Sequence, residues 1–375
     1  MMERNAMDMS ASANKARIRT AAYVIAGIIC VCNVLGSSGN GAYAGKHDEA
    51  EASGRQLAII SSYNLPIAEV SGLAKIAGSS SEMERKGGIN LYAIGDASYQ
   101  VVRFRVDGAD GAGHASRGAD IRVQDVAHIL GRKASNASQW EAVAVDGKES
   151  VCMLSETHAE IACLDTDLQN ARALFSLDVS SIPELDSAWK EQPNSRGEGM
   201  ILMKAGHVLV LKEKRPSMLI EFGPEGDQPM GYGTDTFLGP DEPFAGLVRS
   251  SGEPVYRANR SEEPSQRRLV ALKAWEFSDQ LHELAHDASE IALGPDGRIY
   301  LLSQESATLI RLEKNLKPAE HKVGMEHGAY WRLPQEMDKA EGLAIGSGMH
   351  PWIGIDIKQT DRPNLFRLSP IDAIP

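Results

Sequence analysis

The chain is short of cysteine, of aromatic side chains and of positive charge, and each shortage narrows what it can be. Four cysteines in 375 residues cannot staple a fold of this size, so a hydrophobic core must carry it. Aromatics are 6% of the chain, and 39 Lys+Arg stand against 51 Asp+Glu for a formal charge of −12. A protein that binds nucleic acid needs a basic, often aromatic-rich groove to displace counter-ions, and this balance excludes one. A Gly-x-Ser-x-Gly elbow and a P-loop are missing, which removes the strong hydrolase and nucleotide signatures. The Asp-Gly-Ala-Asp-Gly stretch at 107–111 is too short and incomplete for an EF-hand loop.

Long apolar runs are also scarce. The longest, at 21–35 (AAYVIAGIICVCNVL), falls short of the ~20 residues that span a bilayer. It follows Arg4, Lys15, Arg17 and Arg19 and precedes Ala42-Tyr43-Ala44. Charged region, apolar region and small-residue site together read as a secretory leader, 1–44, cut after Ala44. The expected destination is the periplasm or the outside, with no stable membrane insertion after cleavage. Residues 45–54 are expected to be a disordered N-terminal segment, and 55–375 the folded domain. Cys30 and Cys32 leave with the leader, so Cys152 and Cys163 remain. They flank VCMLSETHAEIAC, read as strand, turn, strand. A turn centred on Thr157-His158 sets them opposite each other, as a disulfide or as two buried thiols.

What is present is a repeat. Apolar strand, polar turn and apolar strand recur at 91–104, 151–164, 208–222 and 299–312. Each pair follows a short element with a small-residue motif, beginning at Ser71, Glu141, Glu198 and Ser289; a fifth begins at Glu341 and a degenerate one at Ala245. Units of roughly 50 residues dominated by strands match propeller blades. The expected fold is therefore all-β, a single propeller of four-stranded antiparallel blades around a central channel. Six blades are expected, with five possible because the unit at Ala245 is degenerate.

The motifs YNLPIAEVSGLA, LYAIGD, EGMI with LVLKEKRP, DASEIALGPDGRIYLLSQES, and LPQEMDKAEGLA leading to RPNLF resemble the SdiA-regulated (YjiK-like) β-propeller family. That family is akin to NHL-repeat propellers and to esterase-like phytases. The resemblance runs from about Tyr63 to Leu368, with Asp361 where the family usually has Glu before Pro-Asn. It implies the propeller fold and a bound calcium.

The repeat also concentrates acid. Glu141, Glu198 and Glu341 occupy one equivalent slot at the channel mouth, with Ser71 and Ser289 in two other units. Converging carboxylates repel unless protons or a cation offset them, and Ca2+ takes several hard oxygens from separate elements. The three glutamates are expected Ca2+ ligands, with Ser71 and Ser289 as possible additions. The alternative is that each glutamate bonds backbone N–H groups of a neighbouring blade and closes the ring. Asp96, Glu156, Glu213 and Glu305 are expected on the same face. Lys212, Lys214 and Arg215 form either a clamp for a small anionic ligand or a solvated hairpin tip. His282-Glu283-Leu284-Ala285-His286 spells a zinc-protease helix signature but lacks its compact third ligand and is read as a connector.

The expected role is an exported module binding a ligand or a protein partner on an acidic, Ca2+-loaded face. The alternative is a metal-dependent esterase, lactonase or phosphoesterase with Glu156 or His158 as base.

Overall fold

A computed structural model describes residues 55–76, 88–106, 119–148, 150–213, 216–247 and 266–371. The leader, the segment 45–54, the 107–111 stretch, Lys214 and Arg215 lie outside the described residues.

The described strands build five four-stranded antiparallel sheets, with Arg55–Gln56 adding a parallel strand outside the fourth and Lys322–Val323 pairing parallel with the outer strand of the third. From the innermost strand outward, the first blade is Val70–Lys75, Ile89–Gly95, Gln100–Val106 and Ala119–Asp125. The second is Trp140–Val145, Val151–Ser155, Glu160–Leu164 and Ala171–Asp178. The third is Gly199–Leu202, Val208–Lys212, Met218–Gly223 and Gln266–Phe277, and the fourth Glu290–Leu293, Ile299–Ser303, Thr308–Leu312 and Met325–Arg332. The fifth takes Ala340–Ile345, Pro351–Ile355 and Leu365–Leu368 from the C-terminal region and borrows Ile59–Tyr63 as its outer strand. That borrowed strand pairs antiparallel, Tyr63 with Leu365 and Ile59 with Leu368. Asn364, fully buried, fastens the junction: its Oδ1 accepts from Leu65 N at 2.7 Å, and its Nδ2 donates to Leu65 O at 3.0 Å and Ile67 O at 2.9 Å.

Sequence composition explains the radial order. Second strands such as Val151–Ser155, Val208–Lys212, Ile299–Ser303 and Pro351–Ile355 are buried along their whole length, so they read as unbroken apolar runs. Outer strands alternate instead: Ala171–Asp178 is buried at every second residue, and Ala119–Asp125 has no buried residue. The core is divided into five clusters, each lying between two neighbouring blades. Trp352, Tyr63 and Leu365 of the fifth blade, for example, pack with Leu73, Leu91 and Phe104 of the first. Five interfaces for five sheets close the ring.

The sixth unit expected at Ala245 is not a blade. Ala245–Leu247 is a single 3-10 turn within the excursion that links Met218–Gly223 to Gln266–Phe277. Gly246 is small for a different reason from the repeat glycines: a Cβ there would come within 2.7 Å of the Phe244 ring. The excursion's described part, 224–247, bonds to the third blade and reaches beyond it to the second. Lys204 N donates to Thr236 O and Gly147 N to Glu242 O, both at 2.9 Å. At the rim, Ala171–Asp178 pairs parallel with Gln266–Phe277, joining the outer edges of the second and third blades. Cys152 and Cys163 face each other across the second blade and are joined by a buried disulfide.

Candidate functional site

Every innermost strand begins at the same end of the channel, so equivalent residues form tiers of five there. The first tier is the slot Ser71, Glu141, Glu198, Ser289 and Glu341. In three blades the backbone makes a bulge at this slot: pairing skips from Val70 to Gly72, from Trp140 to Ala142 and from Ala340 to Gly342, leaving Ser71, Glu141 and Glu341 as the extra residue. Two residues earlier, Glu69, Gln139 and Lys339 adopt left-handed φ of 54°, 53° and 66°. Non-glycine residues rarely take this conformation, and bulges of this kind re-aim a side chain at the edge of a sheet. The strained turn is locked in each case, because Asp96 N, Glu156 N and Asp356 N donate to the carbonyls of Glu69, Gln139 and Lys339.

Those three donors belong to the second tier, the residue that starts the hairpin after each second strand: Asp96, Glu156, Glu213, Gln304 and Asp356. A third, partial tier adds Glu69 and Asp287. Together with Asn194, and with Ser71 excepted, they surround a cavity of about 230 Å3, whose lining includes nine carboxylates: Glu69, Asp96, Glu141, Glu156, Glu198, Glu213, Asp287, Glu341 and Asp356.

Blade closure is carried by other groups. Ser71 Oγ donates to Trp140 O at 2.5 Å and Ser289 Oγ to Ala340 O at 3.1 Å, each reaching the residue just before the next blade's slot. Glu290, fully buried, accepts from Ile291 N at 3.0 Å and from the N–H of Met200 in the third blade. Gly199 leaves room for it, since a Cβ there would lie 2.9 Å from Glu290 Oε1. Glu290 is thus the glutamate that joins blades; Glu141, Glu198 and Glu341 face the cavity instead. Ser289 lines the cavity as well, whereas Ser71 does not.

Crowding of like charges governs the electrostatics. Burial, then Glu156 and Asp96, hold Glu141 well above the usual carboxylate range. Burial, then Glu141 and Glu156, do the same to Glu198, which shares a hydrogen bond with Glu156. Burial with Asp356 and Asp96 pushes Glu341 up to about 8. Burial brings Glu156 to about 7, although the bond from Glu198 and the Arg196 N–H oppose it. Burial with Glu69 and Asp356 raises Asp96 to about 6, and its Oδ1 is buried without a hydrogen-bond partner. Lys339 Nζ reaches Asp356 at 2.8 Å and Lys358 Nζ reaches Glu69 at 3.5 Å, offsetting part of the charge from the rim.

Several sequence expectations change here. Glu305 is exposed and outside the lining; its neighbour Gln304 holds the tier position, as aligning Ser155-Glu156 with Ser303-Gln304 reveals. Asp356 was legible by the same means, because Gly354-Ile355-Asp356 matches Ile94-Gly95-Asp96 at the end of a second strand. Lys212 is neither clamp nor hairpin tip. It is fully buried within Val208–Lys212, and burial lowers its pKa to about 8 against the pull of Glu213, Glu198 and Glu156. It serves the cluster as an internal counter-charge. His158 is exposed, pairs with Ser155 Oγ at 2.9 Å and stands outside the acidic cavity. The short helix Asp279–Leu284, capped by Ser278, stops before His286, so His282 and His286 do not share a helix face. Among the described residues no three His, Cys, Asp or Glu side chains close tightly on one point as a preformed metal cage; the carboxylates are spread around the cavity.

No protein-family model and no curated protein matches the chain. Solved structures do. A PQQ-bound aldose sugar dehydrogenase from Streptomyces coelicolor aligns over 85% of this chain and 98% of its own at 12% identity, TM-score 0.41. The calcium-binding protein regucalcin from Agrobacterium tumefaciens aligns over 85% and 94% at 10% identity, TM-score 0.40. A streptogramin B lyase aligns over 82% and 96% at 10% identity, TM-score 0.39. Likeness at this distance carries no argument about activity.

Proposed function

We propose that this chain is an exported propeller of the SdiA-regulated (YjiK-like) type that binds Ca2+ at its acidic channel mouth and presents that face to a ligand or protein partner. The observation that supports it is the division of labour in the slot. Ser71, Ser289 and Glu290 close the ring, so Glu141, Glu198 and Glu341 are carboxylates in excess of what the fold requires. The donor set is hard oxygen from several blades, and the buried, unpartnered Oδ1 of Asp96 belongs to it. Ca2+ suits such a set better than Zn2+, which prefers nitrogen and sulfur in tight tetrahedra. Some of these carboxylates and water would share the ion across a cavity this wide. A small anionic ligand would meet repulsion from the lining unless the cation bridged it.

The cavity's spare volume favours one second reading, a hydrolase on the same face. A bound ion would supply Lewis acidity toward a carbonyl or phosphoryl oxygen. The chain's own contribution would be Glu156, whose pKa of about 7 suits proton transfer at neutral pH.

The test is thermal unfolding of the protein beginning at Gly45, first with EDTA and then with millimolar Ca2+, Mg2+ or Zn2+. Ligand at a hundred times its Kd stabilises the folded state by about 2.7 kcal/mol. A Ca2+-selective rise that disappears in Glu198→Gln/Glu341→Gln supports the reading. No shift with any ion overturns it, and turnover of ester or phosphoester substrates by the Ca2+-loaded protein would decide for the hydrolase.

A further inference from the structure

The channel has a second chamber at its other end. Its volume is about 410 Å3, and its wall is built by the repeat itself: Leu73, Val143, Met200, Ile291 and Leu343, one from each blade, two positions beyond the acidic slot. That is the space of about fourteen waters at liquid density; its side chains are mostly apolar, while the wall exposes polar and apolar surface in nearly equal measure. Chambers of this size with apolar walls and a few placed polar groups are the usual form of a small-molecule site.

One side of the wall does not come from the repeat. Leu238, Gly239 and Pro240 belong to the excursion in the third blade that stands where a sixth unit was expected. This segment is fixed under the channel at two points: Gly147 N donates to Glu242 O, and Asp146 Oδ2 accepts from Phe244 N, both at 2.9 Å. The fit is close enough that a Cβ on Gly147 would come within 2.3 Å of Glu242 N. The segment also bonds blade groups, Lys204 N to Thr236 O and its own Met230 and Gly231 N–H groups to the buried Glu221 carboxylate, and it supplies the side of the chamber that the repeat does not.

Charge in the lining is one-sided. Asp146, the only acidic residue of the lining among the described residues, is buried and committed to backbone donors: Lys148 N at 2.9 Å and Ser150 N at 2.8 Å on Oδ1, and Phe244 N on Oδ2. Lys75 is the only basic residue of the lining among the described residues, held at the rim, where its Nζ donates to Ser347 Oγ at 2.8 Å. We propose that this chamber binds a small amphipathic monoanion, with a carboxylate head at Lys75 and Ser347 and an apolar body of about ten carbons against the five-residue ring. The acidic mouth at the far end repels such a molecule, so it approaches from the Lys75 side. This site and the cation site sit at different ends of the channel and are tested separately.

Decanoate is the probe, titrated calorimetrically and by displacement of an anilinonaphthalene sulfonate dye, with decanol as the uncharged control. The expected result is sub-millimolar decanoate binding and weaker decanol binding. Lys75→Gln should weaken decanoate about tenfold and leave decanol unchanged. Gly239→Phe should abolish both. The backbone tolerates a side chain at Gly239, since a Cβ would meet nothing closer than Glu242 Oε2 at 3.6 Å. If Gly239→Phe does not fold, Lys75→Arg against Lys75→Gln decides, with affinity kept by arginine alone. The proposal is overturned if the wild-type protein ignores decanoate at millimolar concentration, if decanol binds as tightly, or if Lys75→Gln binds decanoate as the wild type does.

Discussion

Cation binding at the acidic mouth should expel protons, and a minimum can be worked from three of its carboxylates, Glu141 and Glu198 being raised further still. Asp96, Glu156 and Glu341, at about 6, 7 and 8, are held above the ordinary carboxylate range chiefly by burial. With these values the three together carry roughly 2.4 protons at pH 6, 1.5 at pH 7 and 0.6 at pH 8. Each proton is released if its carboxylate must face a divalent ion, so the logarithm of affinity rises with pH by the number released. Between pH 6 and 8 the gain reaches roughly a thousandfold if all three end ionised, and about thirtyfold if half the protons leave. Calorimetry at pH 7 in PIPES and in Tris, whose ionisation heats differ, reads the number directly. The expected slope is at least about one proton released per Ca2+. The sign is fixed as well. Carboxylates with raised folded-state pKa values favour the folded state at low pH, and that advantage is lost as pH rises from their unfolded values through about 6 to 8. The metal-free protein should therefore melt at lower temperature at pH 8 than at pH 5.5, and Ca2+ should restore more at pH 8. Affinity that stays flat across this range, or heats independent of buffer, would refute the reasoning.

Three further outcomes are expected. Asn364→Ala strands two carbonyls and an N–H beneath the closure strand and should cost about 3–5 kcal/mol in urea unfolding. Replacing Cys152 and Cys163 together by alanine should cost about 2–4 kcal/mol, seen as a lower urea midpoint that dithiothreitol no longer moves. His207 is buried, with Nδ1 at 2.6 Å from Glu221 and Nε2 at 3.2 Å from Asp227; burial lowers its pKa, but these carboxylate bonds prevail and raise it. Its contribution should be complete below about 6.5 and fade as pH rises through the higher folded value, so the melting gap between wild type and His207→Asn should narrow from pH 6 to pH 9.

Much of the fold was legible because a propeller repeats its chemistry. The unbroken apolar second strands and the small residues opening each innermost strand marked four of the blades, and the Glu341 motif marked the fifth. The false sixth came from Ala245-Gly246-Leu247, where an aromatic neighbour rather than a blade interface demands a glycine. Within the site, alignment of the repeat motifs located Glu141, Glu198 and Glu341 in their slot. The one-residue error at Glu305 and the silence on Asp356 have one cause. Tier membership depends on hairpin register, and a polar turn such as Gln304-Glu305 gives no apolar signal to fix it. Glu290 lay beyond sequence reasoning, because its role depends on the vacant space at Gly199 in the next blade.

The borrowed strand of the fifth blade has a kinetic consequence. Tyr63 finds Leu365, and Ile59 finds Leu368, only after nearly the whole domain has been gathered between them, so the last contacts to form span the largest loop the chain can make. Four blades can assemble from near neighbours while the ring still gapes. Completion is then a single late event that depends on both ends of the domain at once. Trimming either end past these residues would leave an open ring with an unpaired edge in its final blade, the surface on which misassembly with another chain begins.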